Sequence, residues 1–239
     1  MADQHPVAKV KKGLPVPPKA LLFELEYVAV PGRKLYYETL KSVLADKGIA
    51  LTTALFSRLC VGRPARLFVP QILKMAKKER VSEPKLTEEV KQAMAACFAG
   101  AALKPNPALK KLMKAALDDK LRLGAVTCLD EGLAASLITQ LGMTELGVRV
   151  LPAACDERHA PTVDSWLKLA KNLYVSPACC VAVGTTAVSC RAALAAHMRC
   201  VALLDAFTSF QDFGGCDYVV ASLDEIPSAD IFALLEPKS

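Results

Sequence analysis

From residue 107 onward, short apolar runs alternate with stretches of helical periodicity, and this alternation restricts the possible fold more than any other feature. The apolar runs fall at 121–127, 148–151, 179–183, 199–204 and 218–221, and helical patterns occupy 107–119, 130–140, 162–173 and 187–196. Strands that are joined through helices lie parallel, with right-handed crossovers. Runs that are continuously apolar indicate strands covered on both faces. The sequence therefore predicts a doubly wound, parallel α/β sheet.

A further strand is predicted at 20–25, and a helical block separates it from the others. The spacing of apolar residues predicts helices at about 34–47, 52–60, 64–80 and 87–103. We expect the fourth helix to begin at Thr87, since Glu88 and Glu89 would then lie in its first turn, where negative charge suits the helix dipole. These patterns predict an α/β core of residues 20–33 and 104–239 with an inserted all-helical cap, 34–103. Residues 1–19 are rich in Pro and Lys and are expected to form a disordered arm.

Composition argues against several classes of protein. No apolar run is long enough to cross a bilayer and no signal peptide precedes the first strand, so we expect a cytoplasmic protein without a membrane partner. The net charge is +6, but the N-terminal arm carries half of the excess, so a nucleic-acid partner is not expected. The nine cysteines show no zinc-site spacing, so we expect buried, reduced thiols and no metal site.

Polar residues follow the predicted strands directly. Glu24 and Glu26 come at the end of the first strand, Thr127 ends the second, and Gly184-Thr185-Thr186 follows the fourth. In parallel sheets ligands bind beyond the carboxyl ends of the strands. Carboxylates at the end of a buried strand are costly unless a partner satisfies them. We therefore expect the functional site at this edge of the sheet. Ala153–Cys155, which follow the third strand, are expected to lie at the same edge.

Several stretches, in this order, resemble the haloacid dehalogenase superfamily. They are FELEYVAV, KGIALTTALFSRLCVGRP, GAVTCLD, and the run from VSPACCVAVGTT to VVASLDEI. The resemblance is to the phosphatase and phosphomutase branch with a helical cap, which includes β-phosphoglucomutases and phosphoglycolate phosphatases. It implies a first strand followed by an aspartate nucleophile and an aspartate acid/base, with a Thr or Ser and a Lys that hold phosphate. Acidic residues after the fourth strand would bind Mg²⁺.

Carried onto this chain, the resemblance places Glu24 at the nucleophile position and Glu26 at the acid/base position. Thr127 matches the phosphate-binding Thr, whereas Ala160 stands where the Lys belongs and Thr185 where a Mg²⁺ ligand belongs. The residues expected to contact a ligand are Thr127, Gly184, Thr185, Thr186 and, from the cap, Arg63.

These replacements predict a loss of phosphoryl transfer. The extra methylene of Glu displaces a carboxylate by roughly an ångström, which can cost about 10²-fold in rate. We therefore expect a catalytically degenerate homologue, a pseudophosphatase without a cofactor, that binds a small phosphorylated or anionic ligand or a protein partner. The alternative is an active, Mg²⁺-dependent phosphatase that uses Glu in place of the usual Asp pair, with Arg158 or His159 supplying the missing positive charge.

Overall fold

Six parallel strands form the central sheet of the computed structural model, which describes residues 17–99, 103–152 and 161–236. Their order across the sheet is β3-β2-β1-β4-β5-β6. The strands are β1 (Ala20–Glu24), β2 (Arg122–Thr127), β3 (Arg149–Pro152), β4 (Cys180–Gly184), β5 (Arg199–Leu203) and β6 (Tyr218–Val220). This topology confirms the predicted doubly wound sheet. Residues 1–16 of the predicted arm lie outside the described residues.

The helices follow the predicted order along the chain. They are α1 (Gly32–Ala45), α2 (Thr53–Leu59), α3 (Ala65–Met75), α4 (Glu83–Ala99), α5 (Pro107–Asp118), α6 (Glu131–Gln140), α7 (Val163–Asn172), α8 (Ala187–Ala195) and α9 (Ser228–Ala233). A π-helical turn, Leu25–Ala29, follows β1 directly. In the described part of the chain, no helix is both long enough and apolar enough to cross a membrane.

The start predicted for α4 at Thr87 was wrong, because the helix begins at Glu83. Its second residue is Pro84, and a proline is tolerated in a first turn because the N–H group that it lacks has no partner there. Glu83 is the acidic residue of the first turn. The earlier start places Leu86 on the helix, where it belongs to the buried cluster of the helices α1–α4.

Strand β1 is the centre of the core and is fully buried. It pairs with β2 on one side and with β4 on the other, so the direction in which the chain crosses the sheet reverses beside it. Leu21 and Phe23 face a cluster that includes α5, α6 and α9, whereas Leu22 faces α7 and α8. This reversal point is where parallel α/β sheets open a crevice for ligands.

The helices α1–α4 have a hydrophobic cluster of their own, to which the sheet domain contributes Phe207. The ring centroid of Phe207 lies 5.0 Å from that of Phe56 and 5.2 Å from that of Tyr37. Aromatic pairs at such separations add to the energy of burial. Phe207, in the loop after β5, thus packs into the helical region. The exact limits of the two predicted domains stay a prediction.

We predict that Gly124→Ala destabilises the protein by about 1–3 kcal/mol, because the added methyl group would overpack the core. A Cβ at this position in β2 would lie 2.9 Å from Leu173 Cδ1 and 3.0 Å from Leu169 Cδ1, both of which pack from the side of α7. Urea unfolding measures the change. The matched control is Gly132→Ala in α6, where the nearest atom is Asp130 Oδ1 at 3.4 Å, and stability should be unchanged or higher. Equal effects at both positions would contradict the prediction.

Candidate functional site

The structure brings the predicted polar residues together at the carboxyl edge of the sheet. Glu24 is the last residue of β1, Glu26 lies in the π-helical turn, and Thr127 is the last residue of β2. Gly184 ends β4, and Thr185 follows it. Both glutamates are buried, each with 3% of its surface exposed, so their carboxyl groups depend on partners within the protein.

Thr185 satisfies both oxygens of the Glu24 carboxylate. Its backbone N–H donates to Oε1 at 2.8 Å, and its hydroxyl group donates to Oε2 at 2.6 Å. The residue that stands where the resemblance implies a Mg²⁺ ligand is therefore a hydrogen-bond donor to the neighbouring carboxylate. Charge-assisted bonds of this length are among the stronger hydrogen bonds in proteins.

A buried arginine completes this arrangement from the other side. Arg33, in the first turn of α1, donates from Nη2 to Thr185 Oγ1 at 2.8 Å and forms an ion pair through Nη1 with Asp205. Its guanidinium carbon lies 4.5 Å from the ring centroid of Tyr27, a cation–π geometry. Only 4% of Arg33 is exposed. Glu24, Thr185, Arg33 and Asp205 thus form one connected polar network, which we call the Arg33 network.

Sequence reasoning missed Arg33 and Asp205. A signal existed for each: Arg33 is a cation near a predicted helix start, where the dipole disfavours it, and Asp205 follows the fifth strand as the expected site residues follow theirs. In the structure Asp205 Oδ1 accepts from the N–H of Phe207 at 2.8 Å and from the hydroxyl of Thr208 at 3.2 Å. The loop after β5 therefore orients this carboxylate toward Arg33.

Glu26 has a different environment from Glu24. Its Oε1 accepts from the N–H of Cys128 at 2.5 Å, while its buried Oε2 has no hydrogen-bond partner among the described residues. Burial away from water raises the pKa of Glu26 to about 7, against the lowering effect of its hydrogen bonds. The nearby charge of Glu24 adds a smaller increase to this pKa. Glu26 can therefore hold or release a proton near neutral pH.

Glu26 also lines a cavity of about 360 Å³ between the sheet edge and the helices α3, α4 and α6. Its walls are largely apolar, and their residues are Tyr27, Pro64, Ala65, Met94, Ala95, Phe98, Leu129 and Leu133, with Glu26, Arg66, Lys91, Cys128 and Asp130 as the polar members. Cavities of this size and composition accommodate small organic molecules.

The remaining expected ligand contacts are engaged with the chain itself. Thr127 Oγ1 accepts from the N–H of Leu129 at 3.1 Å, and Thr186 caps α8 by accepting from the N–H of Ser189 at 3.2 Å. The N–H of Ala187 donates to Gln211 Oε1 at 2.8 Å. The N–H groups of Ala187 and Ser189 at the start of α8 thus already donate to side chains of the protein. An anion that bound to these N–H groups would have to displace those side chains.

Arg63 is exposed and lines a small recess together with Glu24, Arg33 and Thr186. The recess has a volume of about 20 Å³, which is the space of roughly one water molecule. A phosphoryl group does not fit between Arg63 and Glu24 in this arrangement.

Mg²⁺ fits these residues poorly. It requires near-octahedral coordination by oxygen atoms, and both oxygens of Glu24 are already acceptors for Thr185. The guanidinium of Arg33 brings a permanent positive charge to Thr185. Within residues 17–99, 103–152 and 161–236, no three carboxylate, imidazole or thiol groups gather at this edge of the sheet. Ala153–Cys155, Arg158, His159 and Ala160 lie outside the described residues.

Comparison with known proteins agrees with this architecture. The chain is 25% identical over 212 residues to "Putative phosphatase YhcW" of Bacillus subtilis (strain 168), covering 88% of this chain and 94% of that protein. No family model matches it.

Solved structures of similar architecture include a HAD family hydrolase from Deinococcus radiodurans R1 with bound phosphate and sodium. Its TM-score is 0.71 at 22% identity, and the match covers 93% of this chain and 99% of that one. A β-phosphoglucomutase from Clostridium difficile matches with a TM-score of 0.69 at 17% identity, over 91% and 97% of the two chains. By its sheet order, its helical region and these neighbours, the chain has the fold of the haloacid dehalogenase superfamily, as its sequence motifs predict.

Proposed function

We propose that this protein is a catalytically degenerate haloacid-dehalogenase-like protein, a pseudophosphatase that binds a small ligand without transferring its phosphoryl group. One observation carries the proposal: both carboxylate oxygens of Glu24 accept hydrogen bonds from Thr185. A nucleophile needs an oxygen that is accessible and aligned with the reacting atom. Glu24 is instead a buried acceptor at the centre of the Arg33 network.

The charges of the network support the same conclusion. Arg33 lies between Thr185 and Asp205, so its guanidinium offsets the charge of Asp205 from within the protein, while Thr185 donates to Glu24. A Mg²⁺ ion at Thr185 would have to displace hydrogen bonds to charged groups and would be repelled by Arg33. Arg33 is buried, and removing a partner of a buried charge is costly, so the network resists conversion into a metal site.

The cavity beside Glu26 is the ligand site of this proposal. Its apolar walls suit a small organic body, and Arg66 and Lys91 supply positive charge for an anionic or phosphorylated group. Ionised Glu26 would repel such a group, whereas protonated Glu26 would offer it a hydrogen bond. Binding of an anion is therefore expected to weaken as pH rises through about 7, the pKa of Glu26. A protein partner stays a second prediction from the sequence.

The alternative function is a Mg²⁺-dependent phosphatase that uses Glu24 and Glu26 in place of aspartates. Two observations favour it: the description of the Bacillus subtilis relative as a phosphatase and a Glu26 pKa of about 7, which suits a general acid. It requires Thr185 to leave Glu24 and a metal to enter beside Arg33.

The first test measures both turnover and binding. We expect no hydrolysis of p-nitrophenyl phosphate with Mg²⁺ and a rise in thermal midpoint with phosphate monoesters that is larger below the Glu26 pKa than above it. Uncharged alcohols of matched size are the ligand control. Glu24→Gln is the control for turnover, because activity that survives this change comes from a contaminant. Hydrolysis that disappears in folded Glu24→Gln would overturn the proposal and establish the alternative.

The second prediction concerns the hydroxyl group of Thr185. Thr185→Val should lower the free energy of unfolding by about 1–3 kcal/mol, because it leaves Glu24 Oε2 without a donor and removes an acceptor of Arg33. Thr185→Ser keeps the hydroxyl and is the matched control, for which we expect a clearly smaller loss. Chemical denaturation of the two variants gives the comparison. A valine variant as stable as the serine variant would show that the Arg33 network does not stabilise the fold.

The third prediction is a pH dependence of stability that comes from Glu26. The folded protein holds this proton up to a pKa of about 7, whereas the ordinary value is 4.5, so the folded state binds more protons between these values. Stability must therefore fall as pH rises from 4.5 through 7, by up to about 3 kcal/mol, since each pKa unit is worth roughly 1.4 kcal/mol. Glu26→Gln should flatten this decline, while Glu131→Gln, at an exposed position of α6, should retain it. Denaturation at about pH 5 and about pH 8 measures the difference; equal slopes in both variants would contradict the assignment.

A further inference from the structure

Three cysteines that are distant in sequence meet on the face of the sheet that α8 covers. Cys190 lies on α8, Cys200 on β5 and Cys216 just before β6. Their three Sγ atoms all lie within 4.8 Å of one another, and Cys216 Sγ is 3.8 Å from Cys200 Sγ. Cys190 and Cys200 are buried, and Cys216 is partly exposed. We call these residues the thiol cluster.

The backbone holds two members of the cluster in register. Asp217 Oδ2 accepts from the N–H of Cys200 at 2.8 Å, and the N–H of Asp217 donates to the carbonyl of Cys200 at 2.8 Å. Arg199 in turn donates to Asp217 Oδ1 at 3.3 Å. Asp217, the residue after Cys216, is thus hydrogen-bonded to Cys200 in β5. These bonds hold the sulfur atoms of Cys200 and Cys216 close together in the metal-free protein.

The third member is held by close packing against β4. A Cβ at Gly184 would lie 2.7 Å from Cys190 Sγ and 3.5 Å from Glu24 Oε1, so the thiol occupies the space that any larger residue would need. The N–H of Cys190 donates to the carbonyl of Thr186 at 2.9 Å within α8. The Cys190 thiol and Glu24 Oε1 therefore border the same small space beside Gly184.

We propose that Cys190, Cys200 and Cys216 form a binding site for a thiophilic d¹⁰ cation, Zn²⁺ or Cu⁺. Sulfur atoms that share an ion at roughly 2.3 Å lie about 3.8–4.0 Å apart, depending on whether the ion is tetrahedral or trigonal. The distance of 3.8 Å between Cys200 and Cys216 already matches this value, and the upper limit of 4.8 Å for the cluster requires only small side-chain movements. Soft thiolates select these ions over Mg²⁺ or Ca²⁺.

Binding is an acid–base and not a redox event. Each thiol that becomes a ligand loses its proton to solvent, so up to three protons leave as one cation enters, and no electron changes hands. For Zn²⁺ a water molecule from the partly exposed side of Cys216 completes a fourth position, whereas Cu⁺ is satisfied by the three sulfurs. The site is independent of the proposed ligand cavity, because none of its residues lines that cavity.

Co²⁺ is the probe that tests the site in the reduced, chelator-treated full chain. We expect uptake of one Co²⁺ per chain with the charge-transfer absorption of a thiolate-bound ion, and displacement of Co²⁺ by Zn²⁺. Competition with a chromophoric Cu⁺ chelator is the second arm and distinguishes the two ions by affinity. Cys216→Ser should remove the absorption and weaken binding by more than the roughly 10- to 100-fold that loss of an outer-shell partner costs. Cys179→Ser, at a half-buried cysteine outside the cluster, is the matched control and should bind as the parent does.

A measurement on the unaltered chain keeps the proposal falsifiable if Cys216→Ser does not fold. Zn²⁺ should protect Cys216 from alkylation, as read by mass spectrometry, and should leave the labelling of Cys179 unchanged. Absence of a thiolate band, equal labelling of Cys216 with and without Zn²⁺, or purification of the chain with a Cys200–Cys216 disulfide and no metal uptake would each overturn the assignment.

Discussion

The two hydrogen bonds from Thr185 to Glu24 are the interaction on which the arrangement of the sheet edge depends. A buried carboxylate is stable only with partners, and Thr185 supplies both an amide and a hydroxyl donor. Because the hydroxyl proton points to Glu24, its oxygen is available to Arg33, which in turn pairs with Asp205. Thr185 therefore links the Glu24 carboxylate to a cation of the protein itself, the guanidinium of Arg33.

Two carboxylates two residues apart in the chain consequently have different chemistry. Glu24 has donors on both oxygens, whereas Glu26 has one donor, an unpartnered oxygen and a pKa raised to about 7 by burial. Environment and not residue type separates their roles. Glu26, with its pKa of about 7, lies on the cavity, whereas Glu24 lies within the Arg33 network. This division supports a binding role for the cleft more than a catalytic one.

The sequence predicted the sheet and its functional edge because both follow from local patterns: continuous apolar runs, helical spacing, and polar residues directly after strands. Thr185 could be placed at this edge from those patterns, but Arg33 could not, since it is 152 positions away and meets Thr185 only through the fold. Asp205 in turn meets Arg33 only through the fold. The thiol cluster could not be predicted from the sequence either, because its three cysteines meet only in the folded chain. Linear spacing excludes zinc motifs formed within one hairpin, but it carries no information on a helix, a strand and a loop that converge.

The loop after β5 has a mechanical consequence for the whole molecule. Asp205 holds Arg33 at the start of α1, and two residues later Phe207 packs against the rings of both Tyr37 and Phe56, which also contact each other. This loop therefore acts as a strap from the sheet to the helices that cover the cleft. Those helices cannot swing away without both separating the buried Arg33 from the half-buried Asp205 and withdrawing the ring of Phe207 from its cluster.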